Sequence, residues 1–83
     1  MHETRLVADL MAQASRLALE HGPLQTVRIS IGRGNHVTPG TLRDLWEVFA
    51  EHTELASVTL EIARRDPDEG NGEDVILESV TTT

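Results

Sequence analysis

Residues 27–62 read VRISIGRGNHVTPGTLRDLWEVFAEHTELASVTLEI, and two changes of period inside that stretch decide the fold. Val27, Ile29 and Ile31 alternate with Arg28 and Ser30, the two-residue period of a strand with one buried and one wetter face. Gly32, Gly34 and Asn35 break that strand. Thr38 before Pro39 then reads as an N-cap with proline at the first helical position, where the N–H that proline lacks would have had no partner. Leu42, Leu45, Trp46 and Phe49 form the apolar stripe of the helix behind it. Val58, Leu60 and Ile62 return to alternation against Thr59 and Glu61, giving a second strand. Strand, helix and strand in that order make a crossover unit, which pairs its strands in parallel through a right-handed connection.

Upstream of the unit, Leu6, Val7, Leu10, Met11, Ala14, Leu17 and Ala18 recur at helical spacing while Asp9, Gln13, Arg16 and Glu20 fall opposite. This is an amphipathic first helix. Gly22-Pro23 offers a left-handed cap and then a residue that cannot continue the ladder, so the helix stops near His21. Downstream, Val75 to Val80 makes a third strand. The acidic segment Asp66 to Asp74, with Pro67, Gly70, Asn71 and Gly72, reads as a hairpin turn that returns this strand antiparallel beside the second. The expected architecture is α+β: a single two-layer domain over residues 1–83, α-β-α-β-β, with two helices packed on one face of a three-stranded mixed sheet. No internal repeat is present. Leu10, Ile29, Leu45 and Leu60 are expected to carry stability rather than function, each worth roughly 1.5–3 kcal/mol when buried.

Composition removes most function classes. A chain of 83 residues buries only about 60–65% of the surface its unfolded form exposes, too little to enclose a roomy catalytic interior. The apolar fraction of 39% and charged fraction of 25% are those of an ordinary folded domain. With one Trp, one Phe, no Tyr and a net charge of −7, the chain lacks base-stacking platforms and repels phosphate backbones and anionic lipid, so neither nucleic acid nor membrane is an expected partner. Cysteine is absent, which excludes disulfides, thiolate nucleophiles and Cys-based zinc or iron–sulfur sites. Lysine is absent too, excluding Schiff-base chemistry and a Walker-type phosphate loop. The polar first residues and the lack of any long apolar run give no signal peptide and no membrane span, so the expected location is the cytoplasm. The serines have no positioned His and acid, and no pair of carboxylates is placed across a cleft. The chain is therefore expected not to be an enzyme.

The candidate chemistry begins at Met1. With the initiator retained, as the bulky second residue favours, the terminal amine, the His2 amide nitrogen and the His2 imidazole can close fused chelate rings around one metal ion. An amine of pKa about 7.7–8.0 and an imidazole of about 6.5 give up protons readily when a metal competes, and nitrogen-rich tetragonal surroundings suit Ni(II) and Cu(II) better than Zn(II). Glu3 can add a hydrogen bond, a carboxylate ligand or favourable charge at the helix start. Spacing alone also allows a plainer reading, since a second-position His is commonly an untethered residue at a frayed terminus.

Met1-His2-Glu3 opening an amphipathic helix, the strand ending in Ile31-Gly32, then Val37-Thr38-Pro39, Leu42, Trp46-Glu47 and Phe49 resemble the HypA family. Leu60-Glu61-Ile62 and Leu77-Glu78-Ser79-Val80 are similar to that family's last two strands. The resemblance covers the family's nickel domain almost end to end, although only the N-terminal triplet is a functional motif. It implies a nickel metallochaperone for [NiFe]-hydrogenase, and in some bacteria for urease. Met1 would contribute its amine, His2 the essential ligand, and Glu3 part of the same motif and of partner contact. It implies as partners a maturation GTPase and the hydrogenase large subunit, or urease accessory proteins. Two departures matter. Family members insert a zinc domain with two Cys pairs between the last two strands, where this chain has only the acidic turn at 66–74, so no zinc is expected. Arg33 also stands where the family tends to have an acidic residue.

The other histidines have separate readings. His36, before the second helix, is an exposed loop residue or an outer ligand if that loop approaches the N-terminus. His21 and His52 lie near helix C-termini, where an imidazolium complements the dipole. The run Asp66, Asp68, Glu69, Glu73, Asp74 lacks the oxygen-ligand spacing of a calcium loop. The rival to metal delivery is an interaction module on the same scaffold, motivated by strand three. There Ile76 and Val80 are expected to flank Glu78 on one face with Val75 and Leu77 on the other, leaving an apolar sheet face suited to homodimerisation.

Overall fold

In the computed structural model, which describes residues 2–32, 37–65 and 75–83 and their side chains except those of His2 and Glu3, α1 spans His2–His21 and β1 spans Leu24–Ile31. They are followed by α2 (Pro39–Ala50), β2 (Thr59–Arg64) and β3 (Val75–Thr82). The order and the element types are those the periodicities demand. Helix α1 ends at Gly22, whose φ of +95° lies in the left-handed region and whose N–H reaches the Ala18 carbonyl at 2.9 Å. Helix α2 begins as the Thr38-Pro39 pair requires: the Thr38 side-chain oxygen accepts from the Thr41 N–H at 3.1 Å, and proline occupies the first turn. Replacing Thr38 by alanine is expected to cost about 1 kcal/mol, lowering the melting temperature by roughly 4–8 °C. An unchanged calorimetric midpoint would show that this cap contributes nothing.

The sheet order is β2-β1-β3. Strand β1 lies in the middle, parallel to β2 through pairs such as Val27 with Leu60 and Ile29 with Ile62. It is antiparallel to β3 through Val27 with Val80, Ile29 with Leu77 and Ile31 with Val75. The crossover is thus as expected, but the hairpin is not. Strands β2 and β3 run antiparallel without touching, separated by β1, so residues 66–74 do not join neighbouring strands through an Asn71-Gly72 turn. Arg64 and Val75, which flank the segment on either side and both pair with Ile31, stand about two interstrand spacings, or roughly 9.6 Å, apart. The reason is local: periodicity reports that β3 is a strand, while the identity of its neighbour depends on which edge of the crossover unit has an open ladder and an apolar face to cover. The segment itself lies outside the described residues.

The core sits between the helices and the inner sheet face. Val7, Leu10 and Ala14 of α1, Val27, Ile29 and Ile31 of β1, and Leu42, Trp46 and Ala50 of α2 are buried, with Leu55 and Leu60 closing the cluster. Leu45, expected as a core anchor, is only partly buried and packs against this cluster. A register irregularity between Arg28 and Ile29 corrects the reading of β3: Arg28 faces Ser79 and Ile29 faces Leu77, so Glu78 is extra. One inserted residue reverses the alternation beyond it. Val80 therefore joins Val75 and Leu77 against the core instead of standing with Ile76 on the outer face.

The outer face is consequently polar. Arg28 pairs with Glu61 directly across the ladder, its Nε and Nη2 donating to the same carboxylate oxygen at 3.1 and 3.0 Å. Both side chains are well exposed, so this pair is worth at most about 1 kcal/mol. Beside it Ser30 donates to Glu78 and accepts from Arg65 Nη1 at 2.7 Å. Ile76, 39% exposed, is the large apolar side chain left on this face among the described residues.

Candidate functional site

Chain direction fixes which ends meet. Strand β1 returns antiparallel to α1, so its end at Ile31 comes back to the level at which α1 begins. Strand β2 ends at the same level, with Arg64 opposite Ile31, and β3 starts there, with Val75 opposite Ile31. Helix α2 also begins there, since it must run back before parallel β2 can start. One end of the domain thus gathers both helix N-termini and the ends of all three strands. His21 and His52 belong to the other end.

Of the expected site residues, Met1 and His36 lie outside the described residues, as do the side chains of His2 and Glu3. The backbone of His2 and Glu3 is described, and it forms the first turn of α1. This placement has a chemical consequence. The first N–H groups of a helix have no intrahelical acceptor, so the His2 amide nitrogen can become a metal ligand without breaking a helical hydrogen bond. The positive end of the helix dipole favours the deprotonated, anionic amide that such ligation needs. A carboxylate at Glu3 stands at the same dipole end, where negative charge is favourable.

Two arginines hold the segments that converge here. Arg64 Nη2 donates to the Val37 carbonyl at 3.2 Å, fixing the residue that follows His36. Val37 is buried. The Arg65 backbone N–H donates to the Ile31 carbonyl at 2.9 Å, extending the β1–β2 ladder by one bond, while its guanidinium turns to the outer face and Ser30. Neither arginine is singled out by sequence reasoning, yet a signal exists. Adjacent arginines at the end of an alternating strand must project to opposite faces of the sheet, one toward the helix layer and one away from it.

Among the described residues no group of three His, Asp or Glu side chains is arranged to hold a metal ion. His21 is exposed in the last turn of α1, 3.8 Å from Glu20. His52 follows the α2 cap in a left-handed conformation, φ 67°, with its side chain 88% exposed and 3.6 Å from Glu51. Each sits at a helix C-terminus. Nor is any described helix long and apolar enough to cross a membrane.

Comparison with known proteins gives a family and the same fold. Residues 1–68 match the HypA family, described as hydrogenase/urease nickel incorporation, metallochaperone. Comparison with curated proteins returns no match. Among solved structures, the chain is similar to the Ni metallochaperone HypA from Helicobacter pylori, with a TM-score of 0.80, 15% sequence identity and 96% of each chain covered. At that identity the likeness establishes the fold, and the family match rests on sequence that includes the N-terminal triplet.

Proposed function

Because the chain belongs to the HypA family of hydrogenase/urease nickel-incorporation metallochaperones, we propose that it carries one Ni(II) as cargo on Met1 and His2 and delivers it by ligand exchange. The terminal amine, the His2 amide nitrogen and the His2 imidazole supply three nitrogens of a tetragonal site, and Glu3 offsets the charge of the ion or completes its coordination. His36 is a further ligand candidate, since the segment carrying it rejoins the fold at the end where α1 begins. The observation that carries the reading is the position of His2 as the first residue of α1, where its amide is free to ligate.

Delivery follows from where the ligands are. A site at a chain terminus can surrender its ligands one at a time to an incoming partner, in the cytoplasm a maturation GTPase and the hydrogenase large subunit, or urease accessory proteins. Holding and releasing an ion requires no bond-making chemistry, so the reading includes no catalysis. Zinc has no part in it: the chain has no cysteine, and residues 66–74 take the place of a zinc domain within a single domain over 1–83. Selectivity between nickel and copper comes from availability and partner choice, because copper binds such nitrogens more tightly.

Proton competition sets the expected pH behaviour. Ligation needs neutral imidazole, so binding is present at neutral pH and is lost as pH falls below about 6.5, where an ordinary imidazole protonates. The test is an absorption titration of untagged protein with nickel salt at neutral pH. New ligand-field bands that disappear on acidification are expected, and a spectrum that never changes sinks the reading. The rival, a dimerisation module without metal delivery, loses its motive because Val80 packs against the core and the outer face is polar.

A further inference from the structure

Strand β2 is an edge strand, and the direction of its unused groups can be worked out. The Arg65 N–H points to β1, where it meets the Ile31 carbonyl. By alternation Glu61 and Ala63 also turn their N–H and C=O groups to β1, and Leu60, Ile62 and Arg64 turn theirs outward. Among the described residues no backbone bond is made on that outer side. An open row of donors and acceptors is a template for another strand.

Along this edge runs a groove of about 400 Å³ between α2 and the start of β2. Trp46, Val58 and Leu60 give it apolar walls, and Arg43, Glu47 and Glu51 line it from the exposed side of α2. Trp46 is 2% exposed, and its indole N–H, a donor with no acceptor capacity, has no hydrogen-bond partner in the protein among the described residues. Leaving such a group unmatched is unusual, and because Trp46 lines the groove, an acceptor brought there by a ligand is a candidate partner for it.

We propose that the β2 edge and this groove form a docking site for an extended, basic peptide strand of a protein partner, one of whose side chains presents a neutral acceptor such as an amide oxygen to Trp46. The backbone of the peptide continues the sheet through Leu60, Ile62 and Arg64, and alternate side chains enter the groove. The preference for basic flanks follows from charge: two carboxylates face one guanidinium along the groove, and the chain as a whole carries −7. A neutral acceptor is favoured over a carboxylate for the same reason.

The test uses the metal-free full chain, so it is independent of the nickel site. Nitrogen-15-labelled protein is titrated with the peptide acetyl-Thr-Lys-Val-Gln-Val-Lys-Thr-amide, whose Lys and Gln side chains share one face when extended. Expected are at least tenfold slower hydrogen exchange at the Leu60, Ile62 and Arg64 amides, a downfield shift of the Trp46 indole proton, and a change in the emission of this sole tryptophan. The same peptide N-methylated at alternate backbone nitrogens is expected to bind at least tenfold more weakly, and a Trp46→Phe protein is expected to lose its preference for Gln over Leu at the central position. No binding at millimolar peptide, or equal binding of the methylated peptide, overturns the proposal. Protection of the same amides without peptide, rising with protein concentration, would put a second copy of this chain on the edge and equally overturn it.

Discussion

Nickel affinity is expected to fall on the order of a hundredfold or more, about 2.8 kcal/mol, when His2 is replaced by alanine, and comparably when the Met1 amine is acetylated. The two changes act on different atoms of the same chelate. His2→Ala removes the imidazole but keeps the terminal amine; acetylation keeps the imidazole but converts the Met1 amine into an amide with no basic lone pair. Each loses a fused ring, and a tetragonal ion held by the remaining nitrogens gives up most of the advantage of having them on one short segment. Neither change touches the core: His2 and Met1 precede Val7, the first residue of α1 in the buried cluster. Unfolding midpoints without metal should therefore be unaltered, which separates a lost ligand from a lost fold. Glu3→Gln is expected to weaken binding far less, since it removes charge and not a nitrogen. Isothermal titration of the native, His2→Ala and N-acetylated proteins decides the matter: three equal affinities refute the site, and a loss confined to His2→Ala removes the amine from it.

Much of this domain is legible in the sequence because its helices and central strand are strongly periodic. The parallel pairing of β1 with β2 could be read because a strand, a helix and a strand in succession have one favoured closure. The position of β3 could not be read. Its pattern of apolar residues is the same whether it lies beside β2 or beside β1, and the choice is made by long-range packing against α1 and β1. The bulge at Glu78 carries no Gly or Pro to announce it, so Val80 is assigned to the wrong face by simple alternation. Leu24 and Leu55 are buried although they stand outside any clear periodic run. For the proposed metal site, the triplet Met1-His2-Glu3 can be read as a candidate from sequence because its chemistry is local, three donors within two residues. The roles of Arg64 and Arg65 are hidden because they act across the fold, on Val37 and Ser30.

The second large effect concerns the core. Ile29→Ala is expected to cost about 2–5 kcal/mol, against a total stability that for a domain this size lies at roughly 4–12 kcal/mol. Ile29 is fully buried in the middle strand, between Ile62 on one side and Leu77 on the other, and belongs to the same cluster as Leu10, Leu42 and Trp46. Neighbours on both flanking strands and in both helices would have to move to fill the space, and a sheet residue held by two ladders moves least. Ile76→Ala removes the same atoms from the opposite face, where the side chain is already 39% exposed, and should cost well under about 1 kcal/mol. Urea unfolding followed by circular dichroism measures both. Because the two substitutions are chemically identical, their difference isolates which face of the sheet the helices cover, and equal losses would mean that the assignment of faces is wrong. A population of unfolded Ile29→Ala protein at 37 °C is also expected to lower nickel delivery in cells without any change at His2, since an unfolded chain keeps Met1 and His2 but loses the folded surface that a receiving partner would have to recognise.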